Sequence, residues 1–410
     1  MTVFTERDRF THQSNGELND VVSAADEGGD AEDEDANTSI GYFAPAWVIR
    51  DRLEVMGFTL AAAKEVFEQG ISMRIAEIRD SNAESDEFEN DEISVLETLS
   101  FDAWLAEFHE IIARKLYWWN VSASWEAEHV SDVSEALTYM LEHDSDHIFG
   151  FPQVDIRYVL RAALEACEPD TPIVQDLTGV ISAGYHDREQ AIAADARERL
   201  LNDFPANAKI IVLTEGVTDR RALEGTLQLI YPHLADYYSF MDFSGAQLAG
   251  GAGAVVTTLK AFAGAGIANR IIALLDNDTA ARVAMRSLDR MQLPPNMRAL
   301  HYPPLEYAKE YPTVGPAGEA KMDVNELAGS LELYFGADVL RGPNDEFIPV
   351  HWRGFERTVG QYQGELMEKA ALQEKFAQKL RATGQDATLL RTLDWSGMSA
   401  ILDVVRNAFT

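Results

Sequence analysis

The chain has 410 residues, enough for two or three domains with their own cores. Its formal net charge of −34 at pH 7 argues against broad nonspecific attraction to nucleic acid or to anionic membranes. One cysteine, Cys167, permits neither an intrachain disulfide nor a zinc cluster built on cysteines. No apolar run is long enough to cross a bilayer, and residues 1–10 lack the apolar core of a signal peptide. We therefore expect a cytoplasmic protein that does not act at a membrane.

The acidic residues are unevenly spread. The stretch from Asp20 to Asp35 contains eight acidic residues and no basic one, which predicts an acidic, disordered tail over residues 1–38. Residues 205–305, by contrast, contain nine Lys or Arg against eight Asp or Glu. This near-neutral region could approach a phosphate backbone even though the whole chain is acidic.

Helical periodicity dominates residues 39–204. Apolar residues recur at three- and four-residue spacing over residues 92–120, and further helices are predicted over residues 130–142, 154–167 and 187–204. Four tryptophans are expected to anchor the packing of these helices: Trp104, Trp118, Trp119 and Trp125. The first half of the chain is therefore predicted to be a mainly α-helical domain.

Two short apolar runs, each followed by acidic residues, organise the second half. Residues 209–213 precede Glu215, and residues 270–275 precede Asp276 and Asp278. Short runs rich in Ile and Val predict buried parallel strands, and open α/β sheets bind ligands beyond the carboxyl ends of their strands. The three carboxylates should therefore converge on one crevice, where their oxygens would suit Mg²⁺ or Mn²⁺.

Glu-Gly after one strand and Asp-x-Asp after a later strand resemble the Toprim domain, the catalytic module of topoisomerases, bacterial primases and OLD-family nucleases. A helical domain directly ahead of it is similar to the HEPN/Toprim-associated proteins of bacteria. The resemblance implies an α/β Toprim domain, a parallel sheet flanked by helices, over residues 205–345. A helical HEPN-like domain over residues 39–204 would precede it, and a helical C-terminal extension over residues 346–410 would follow.

The resemblance also implies a further metal ligand, and it raises the question of whether the helical half is a ribonuclease. Some OLD-type nucleases bring additional acids from a downstream helix to a second metal, and by that similarity Glu332, in a predicted helix over residues 323–335, is a candidate metal ligand. Many HEPN domains are ribonucleases with an arginine and a histidine a few residues apart. That spacing occurs only from Arg7 to His12, within the predicted tail, so we expect no ribonuclease activity from the helical half.

Two features beside the acids are candidate contacts for phosphate. Gly250, Gly251 and Gly253 precede a predicted helix, so the backbone N–H groups there could cradle a phosphate, or the glycines could simply allow a tight turn. Arg282 and Arg286, four residues apart, would stack on one face of the helix that follows Asp278. That face is either a rail for a phosphate backbone or a solvated surface.

The sequence favours a metal-dependent nuclease that cuts DNA or RNA phosphodiesters, and the family resemblance implies a role in anti-phage defence. The alternative is a binding or sensing module, which would hold a nucleotide or nucleic acid without cutting it and work with a partner effector. In either case the helical domain is a candidate for homo-oligomer formation or for contact with a protein effector.

Overall fold

A computed structural model describes residues 3–13, 38–82, 91–114, 116, 134–143, 148–152, 154–203, 208–241 and 250–409. The chain forms two compact units, residues 1–200 and residues 201–410. None of the helices in these described ranges is both long enough and apolar enough to span a membrane.

The N-terminal unit combines helices with a small antiparallel sheet. Its strands are β1 (Arg9–Gln13), β2 (Thr38–Pro45) and β3 (Pro172–Asp176), in the order β1-β2-β3. Its helices are α1 (Ala46–Met56), α2 (Leu60–Asn82), α3 (Asp91–Thr98), α4 (Phe101–Arg114), α5 (Glu135–Glu142), α6 (Ile156–Ala163), α7 (Thr178–Ser182) and α8 (Ile192–Asp203).

The helical core of this unit is built around aromatic residues. Phe67, Trp104 and Phe151 are fully buried, and the ring of Phe151 meets each of the other two edge to face at a centroid distance of 5.1 Å. The indole N–H of Trp104 donates to the carbonyl of Phe149 at 2.7 Å, so its polar group is satisfied inside the core. Trp104 thus anchors the packing as predicted, whereas the other three tryptophans lie outside the described residues.

The first residues differ from the disordered tail predicted over residues 1–38. Residues 9–13 form β1 and pair with β2, while Val3 and Phe4 are buried. The prediction weighted the acidic composition of the whole stretch, but a few apolar residues are enough to anchor its beginning. The acidic run from Asp20 to Asp35 lies outside the described residues.

A buried ion pair fixes the same segment. The guanidinium of Arg52, which is 1% exposed, donates to both carboxylate oxygens of Asp8 at 2.7 and 3.1 Å. Two parallel hydrogen bonds from one guanidinium hold a carboxylate in a defined orientation. Arg7 lies in the short 3-10 turn before β1, while the side chain of His12 is outside the described residues.

The C-terminal unit contains the parallel sheet that the sequence predicts. Strands β4 (Ile210–Leu213), β5 (Tyr238–Phe240), β6 (Ile271–Leu275) and β8 (Met297–His301) lie in the order β5-β4-β6-β8, and every neighbouring pair is parallel. All five residues of β6 are buried, as expected for a strand covered on both faces. The surrounding helices include α9 (Val217–Ile230), α10 (Ala252–Gly264) and α11 (Thr279–Met285). This half of the molecule is an α/β unit.

Shorter strands follow the parallel sheet. They are β7 (Asn277–Asp278), β9 (Tyr311–Gly315), β10 (Gly318–Met322), β11 (Ala328–Gly329), β12 (Val350–Glu356) and β13 (Gln361–Leu366). Four of them form a second sheet in the order β10-β9-β12-β13. The last helices are α12 (Ala337–Leu340), α13 (Lys369–Gln385), α14 (Leu389–Thr392) and α15 (Ser396–Arg406).

The hairpin of β12 and β13 corrects the helical extension predicted over residues 346–410, which is helical only from Lys369 onward. β12 pairs in parallel with β9, through Val350 opposite Thr313. Because this pairing joins residues far apart in the sequence, the local periodicity of residues 350–366 could not reveal it.

Candidate functional site

The three acids that the sequence predicts to converge do meet at the carboxyl edge of the parallel sheet. Glu215 follows β4 and Asp276 follows β6, and these strands are neighbours. The backbone N–H of Asp276 donates to Oε1 of Glu215 at 3.0 Å, which joins the two strand ends. Asp278 caps α11, where its Oδ1 accepts the N–H of Ala281 at 2.8 Å.

Asp276 lies at the centre of this group. Burial raises the pKa of its carboxyl well above the ordinary value, and the charges of Glu215, Asp219 and Asp278 raise it further. Its Oδ1 atom is buried and has no hydrogen-bond partner among the described residues. A buried carboxylate oxygen without a donor is unfavourable, so this atom is open to a cation or a proton.

The flanking acids share this environment. Burial also raises the pKa of Glu215, whereas hydrogen bonds from the N–H groups of Asp276 and Ala252 lower it. Burial likewise raises the pKa of Asp278, although two backbone N–H groups and the charge of Lys369 oppose the shift. The carboxylates are therefore held close together at an energetic cost that positive charge would relieve.

Asp219 is a member of this group that the sequence analysis did not select. Burial raises the pKa of Asp219 to about 7, with further contributions from the charges of Glu332 and Glu215. It lies in the first turn of α9, which begins directly after Glu215 and Gly216. An acid in the first turn of a helix that starts at a strand end was the available signal.

Glu332 joins the group, but not on the helix predicted over residues 323–335. It lies in a 3-10 turn over residues 331–334 and is 4% exposed. The helix does not form because β11 pairs with β7, opposite Asn277 and Asp278. A Cβ on Gly329 would lie 2.5 Å from the carbonyl oxygen of Asn277, so this pairing requires glycine.

Glu332 is held by three donors. Ser330 Oγ donates to its Oε2 at 2.8 Å, Gln373 Nε2 donates to its Oε1 at 2.6 Å, and Lys369 Nζ lies 3.5 Å from Oε2. These three side chains thus fix the orientation of its carboxylate. Such support is typical of groups held ready for a ligand.

Lys369 is the internal cation of the group and was also missed from the sequence. Burial lowers the pKa of its ammonium, but the charges of Glu332 and Asp276 raise it more, and the balance is upward. The lysine therefore stays protonated beside the acids. It begins α13 immediately after the hairpin that the sequence analysis took for helix, which is why its proximity was not foreseen.

Tyr302, at the end of β8, completes the buried side of the group. It is 1% exposed, and its hydroxyl has no hydrogen-bond partner among the described residues. Burial raises the pKa of this hydroxyl well above its ordinary value, as do the charges of Asp219, Asp276 and Glu215. The tyrosine therefore remains a neutral donor facing the acids.

The glycines selected from the sequence have different surroundings. The N–H of Gly251 donates to the carbonyl of Glu215 at 2.8 Å, and a Cβ on Gly250 would lie 2.8 Å from the same oxygen. Gly251 has φ of 92°, whereas a Cβ on Gly253, within α10, would meet nothing within 4 Å. Close backbone packing thus explains Gly250 and the left-handed backbone explains Gly251, and phosphate binding at these glycines stays a prediction.

Arg282 and Arg286 lie one helical turn apart, because Arg286 caps α11 and its N–H donates to the carbonyl of Arg282. Their role as a rail for a phosphate backbone stays a prediction. α11 ends at Met285, and Arg286 begins a 3-10 turn over residues 286–288. Arg282 forms an ion pair with Glu326, a residue with φ of 64°. Arg286 is exposed. Contact of Arg282 with a phosphate would have to replace this ion pair.

Comparison with known proteins bears on the other half of the chain. Residues 1–199 match the family model described as HEPN/Toprim N-terminal domain 1. The N-terminal half is similar to the N-terminal domain of HEPN/Toprim proteins. Neither a search of curated proteins nor a search of solved structures returns a match. The family resemblance predicted from the sequence is thus confirmed for the HEPN/Toprim N-terminal half, while the acid group lies beyond the matched residues.

The donor set of the acid group fits a hard divalent cation. Carboxylate oxygens are the ligands that Mg²⁺ and Mn²⁺ prefer, and Oδ1 of Asp276 is a buried oxygen in need of a partner. Across the described ranges, no three His, Cys, Asp or Glu side chains already surround one metal position. Binding would therefore involve side-chain adjustment or water ligands, which Mg²⁺ commonly retains.

Proposed function

We propose that the C-terminal unit is a Toprim-type nuclease site, similar to that of OLD-family nucleases, which hydrolyses phosphodiesters of DNA or RNA with Mg²⁺ or Mn²⁺. The observation that carries the proposal is the half-buried Asp276, whose buried Oδ1 lacks a donor and whose pKa is raised by burial and by three neighbouring carboxylates. Strongly perturbed acids at the carboxyl edge of a parallel sheet are a common mark of a catalytic centre.

In this proposal Glu215, Asp276 and Asp278 hold the cation. A bound divalent cation supplies positive charge that makes the phosphate more electrophilic and water more acidic. Glu332 lies beside these three acids and is a candidate ligand of a second cation.

Two further groups have roles that follow from their surroundings. A carboxylate with a pKa of about 7, such as Asp219, suits proton transfer near neutral pH, so it is a candidate acceptor of the proton from water. Lys369 stays protonated, so its ammonium can pair with a phosphate oxygen and orient the substrate. The N–H of Asp276 fixes one oxygen of Glu215 and so positions that carboxylate.

The family description of the N-terminal half supports nucleic acid as the substrate and is compatible with a role in anti-phage defence. The near-neutral charge of residues 205–305 supports the same substrate, because this region contains as many basic as acidic side chains to within one residue. A helical partner domain ahead of the site would allow regulation through a second copy or a protein effector.

The test is cleavage of labelled DNA and RNA by the full chain in Mg²⁺, in Mn²⁺ and in EDTA. We expect cleavage only with metal, and we expect Asp276→Asn to lower it by at least about a hundredfold, because the acid that faces the cation is lost. The variant should unfold at the same temperature as the wild type in EDTA, or higher, since one repulsive charge is removed.

The matched control is Asp289→Asn, which changes an exposed acid of the same unit and should leave cleavage unchanged. Metal-dependent cutting by a folded Asp276→Asn protein would contradict the site assignment. Wild-type protein that binds labelled strands but cuts none of them with either metal would support the binding or sensing function instead.

A further inference from the structure

Exposed aromatic side chains cluster on the hairpin of β12 and β13. Phe355 and Tyr362 are 54% and 57% exposed, and their rings meet edge to face with centroids 5.1 Å apart. Trp352 lies beside them, with its ring centroid 6.3 Å from that of Tyr362. Exposed apolar side chains that form a contiguous patch often mark an interaction site, whereas single exposed ones are common.

The three rings lie on one face of the hairpin. Phe355 is opposite Tyr362, and Trp352 is opposite Gly364. Because side chains two residues apart in a strand point the same way, Tyr362 and Gly364 share a face. A Cβ on Gly364 would lie 3.2 Å from Cζ3 of Trp352, so glycine lets the indole lie across the strand. We call Trp352, Phe355 and Tyr362 the aromatic face.

The aromatic face is tied to the acid group through the backbone. Thr279, which follows Asp278 directly, donates its hydroxyl hydrogen to the carbonyl of Tyr362 at 2.7 Å. The N–H of Gly364 donates to the carbonyl of Leu327 at 3.0 Å, just before β11 pairs with Asp278. At its other end β13 leads after two residues into Lys369. The hairpin and the acids therefore form one continuous structure.

We propose that the aromatic face is a stacking platform for unpaired bases, so that the site acts on single strands and single-stranded ends. This inference rests on the proposed nuclease function, and it narrows the substrate. Every base has a π face that can stack on an aromatic ring, whereas the bases of a duplex are already stacked on one another. Arg357 is exposed in the turn of the hairpin and is a candidate contact for the backbone of such a strand.

The charge of the molecule favours this kind of contact. At a net charge of −34, long-range attraction between protein and nucleic acid is weak, and affinity has to come from contacts at short range. Stacking depends little on salt, because it releases few counterions compared with phosphate contacts. A platform of aromatic rings is thus a means by which an acidic protein can hold a polyanion.

The test measures binding of a fluorescent single strand of mixed sequence, and of its blunt duplex, to the full-length protein in EDTA. We expect Phe355→Ala and Tyr362→Ala each to weaken single-strand binding about tenfold, or about 1.4 kcal/mol, and the double variant to weaken it more. Tyr362→Phe should retain binding because the ring remains. Tyr185→Ala removes an aromatic side chain that is 78% exposed in the N-terminal unit and should bind like the wild type.

Several results would overturn the stacking platform. Unchanged affinity in the double variant, an equal loss with the duplex, or a loss in Tyr362→Phe as large as in Tyr362→Ala would overturn the platform. A change of the double variant from dimer to monomer in sedimentation, with strand binding intact, would assign the aromatic face to contact between copies and also overturn it.

The result is separable from the proposed function because binding in EDTA does not require cleavage. Wild-type protein that binds single strands through the rings but never cuts would sustain the platform and refute the nuclease. Metal-dependent cutting together with unchanged strand binding in the ring variants would refute the platform and sustain the nuclease.

Discussion

At the scale of single residues, Asp219 gives the clearest expectation for how the stability of the fold depends on pH. Its folded-state pKa of about 7 lies above the ordinary value of 3.8, chiefly through burial. Between these two values the folded chain keeps a proton that the unfolded chain has released. Stability contributed by this group is therefore present at low pH and is lost as the pH rises from about 4 to about 7.

We predict that Asp219→Asn stabilises the metal-free protein much more at pH 8 than at pH 5. At pH 8 the folded wild type buries a charge that the amide avoids, while at pH 5 the folded acid is still protonated and only part of the stability has been lost. The expected gain is a few degrees of melting temperature, about the change that roughly 1 kcal/mol gives in a unit of this size. Calorimetry in EDTA at both pH values measures it.

Asp289→Asn serves as the comparison, because that acid is exposed and should show no such pH dependence. An equal gain for Asp219→Asn at pH 5 and pH 8 would show that the proton is not involved. Adding Mn²⁺ at pH 8 should raise the melting temperature of the wild type more than that of the variant, since the cation favours the ionised acid.

At the scale of elements, the segment at the start of α10 contains two glycines with different surroundings. Gly250 lies against the carbonyl of Glu215, where a methyl group would sit 2.8 Å from the oxygen. Gly253, three residues on, has open space around it and lies inside the helix. The two positions therefore separate close packing from helix propensity within one segment.

We predict that Gly250→Ala destabilises the protein by about 1–3 kcal/mol, because backbone atoms must shift, and that it lowers cleavage by moving Glu215. Gly253→Ala should instead stabilise by about 0.5–1 kcal/mol, since alanine is the better helix former. Denaturant unfolding and a cleavage assay measure both effects. Full stability in Gly250→Ala with loss of strand binding alone would favour a phosphate cradle over packing.

The elements also show how far the sequence could predict the site. Residues 210–213 and 271–275 were predictable because buried parallel strands are apolar throughout, and the acids after them follow from the strand ends. Lys369 was not predictable, since it reaches the acids only through the pairing of β12 with β9 and β13. Glu332 was predicted as a ligand on the wrong element, because the two-residue strand β11 depends on a distant partner.

At the scale of the whole molecule, the net charge of −34 sets how nucleic acid binding responds to salt. Long-range repulsion is screened beyond about 8 Å at physiological ionic strength, so contacts near the site decide affinity. Arg282 is a candidate for one such contact, but its guanidinium is already paired with Glu326. The ion pair lowers the positive charge available to a phosphate.

We predict that Glu326→Gln strengthens nucleic acid binding and steepens its salt dependence. Releasing Arg282 for one more phosphate should add about 0.7 to the slope of log affinity against log salt for a single strand, and about 0.9 for a duplex. Titrations at several salt concentrations measure the slope. Glu306→Gln, which breaks the exposed pair with Lys309, makes the same change in net charge and is the control. Equal slopes for both variants would mean that Arg282 does not meet the substrate.

The order in which the site residues occur along the chain has a consequence for biosynthesis. Glu215, Asp276 and Asp278 leave the ribosome well before the hairpin of β12 and β13 and before Lys369, the cation that lowers the pKa of all three acids. An unfinished chain thus has the acids without Lys369 and without the aromatic face. For an enzyme that cuts nucleic acid, this delay would spare the messenger RNA from which the protein is being translated.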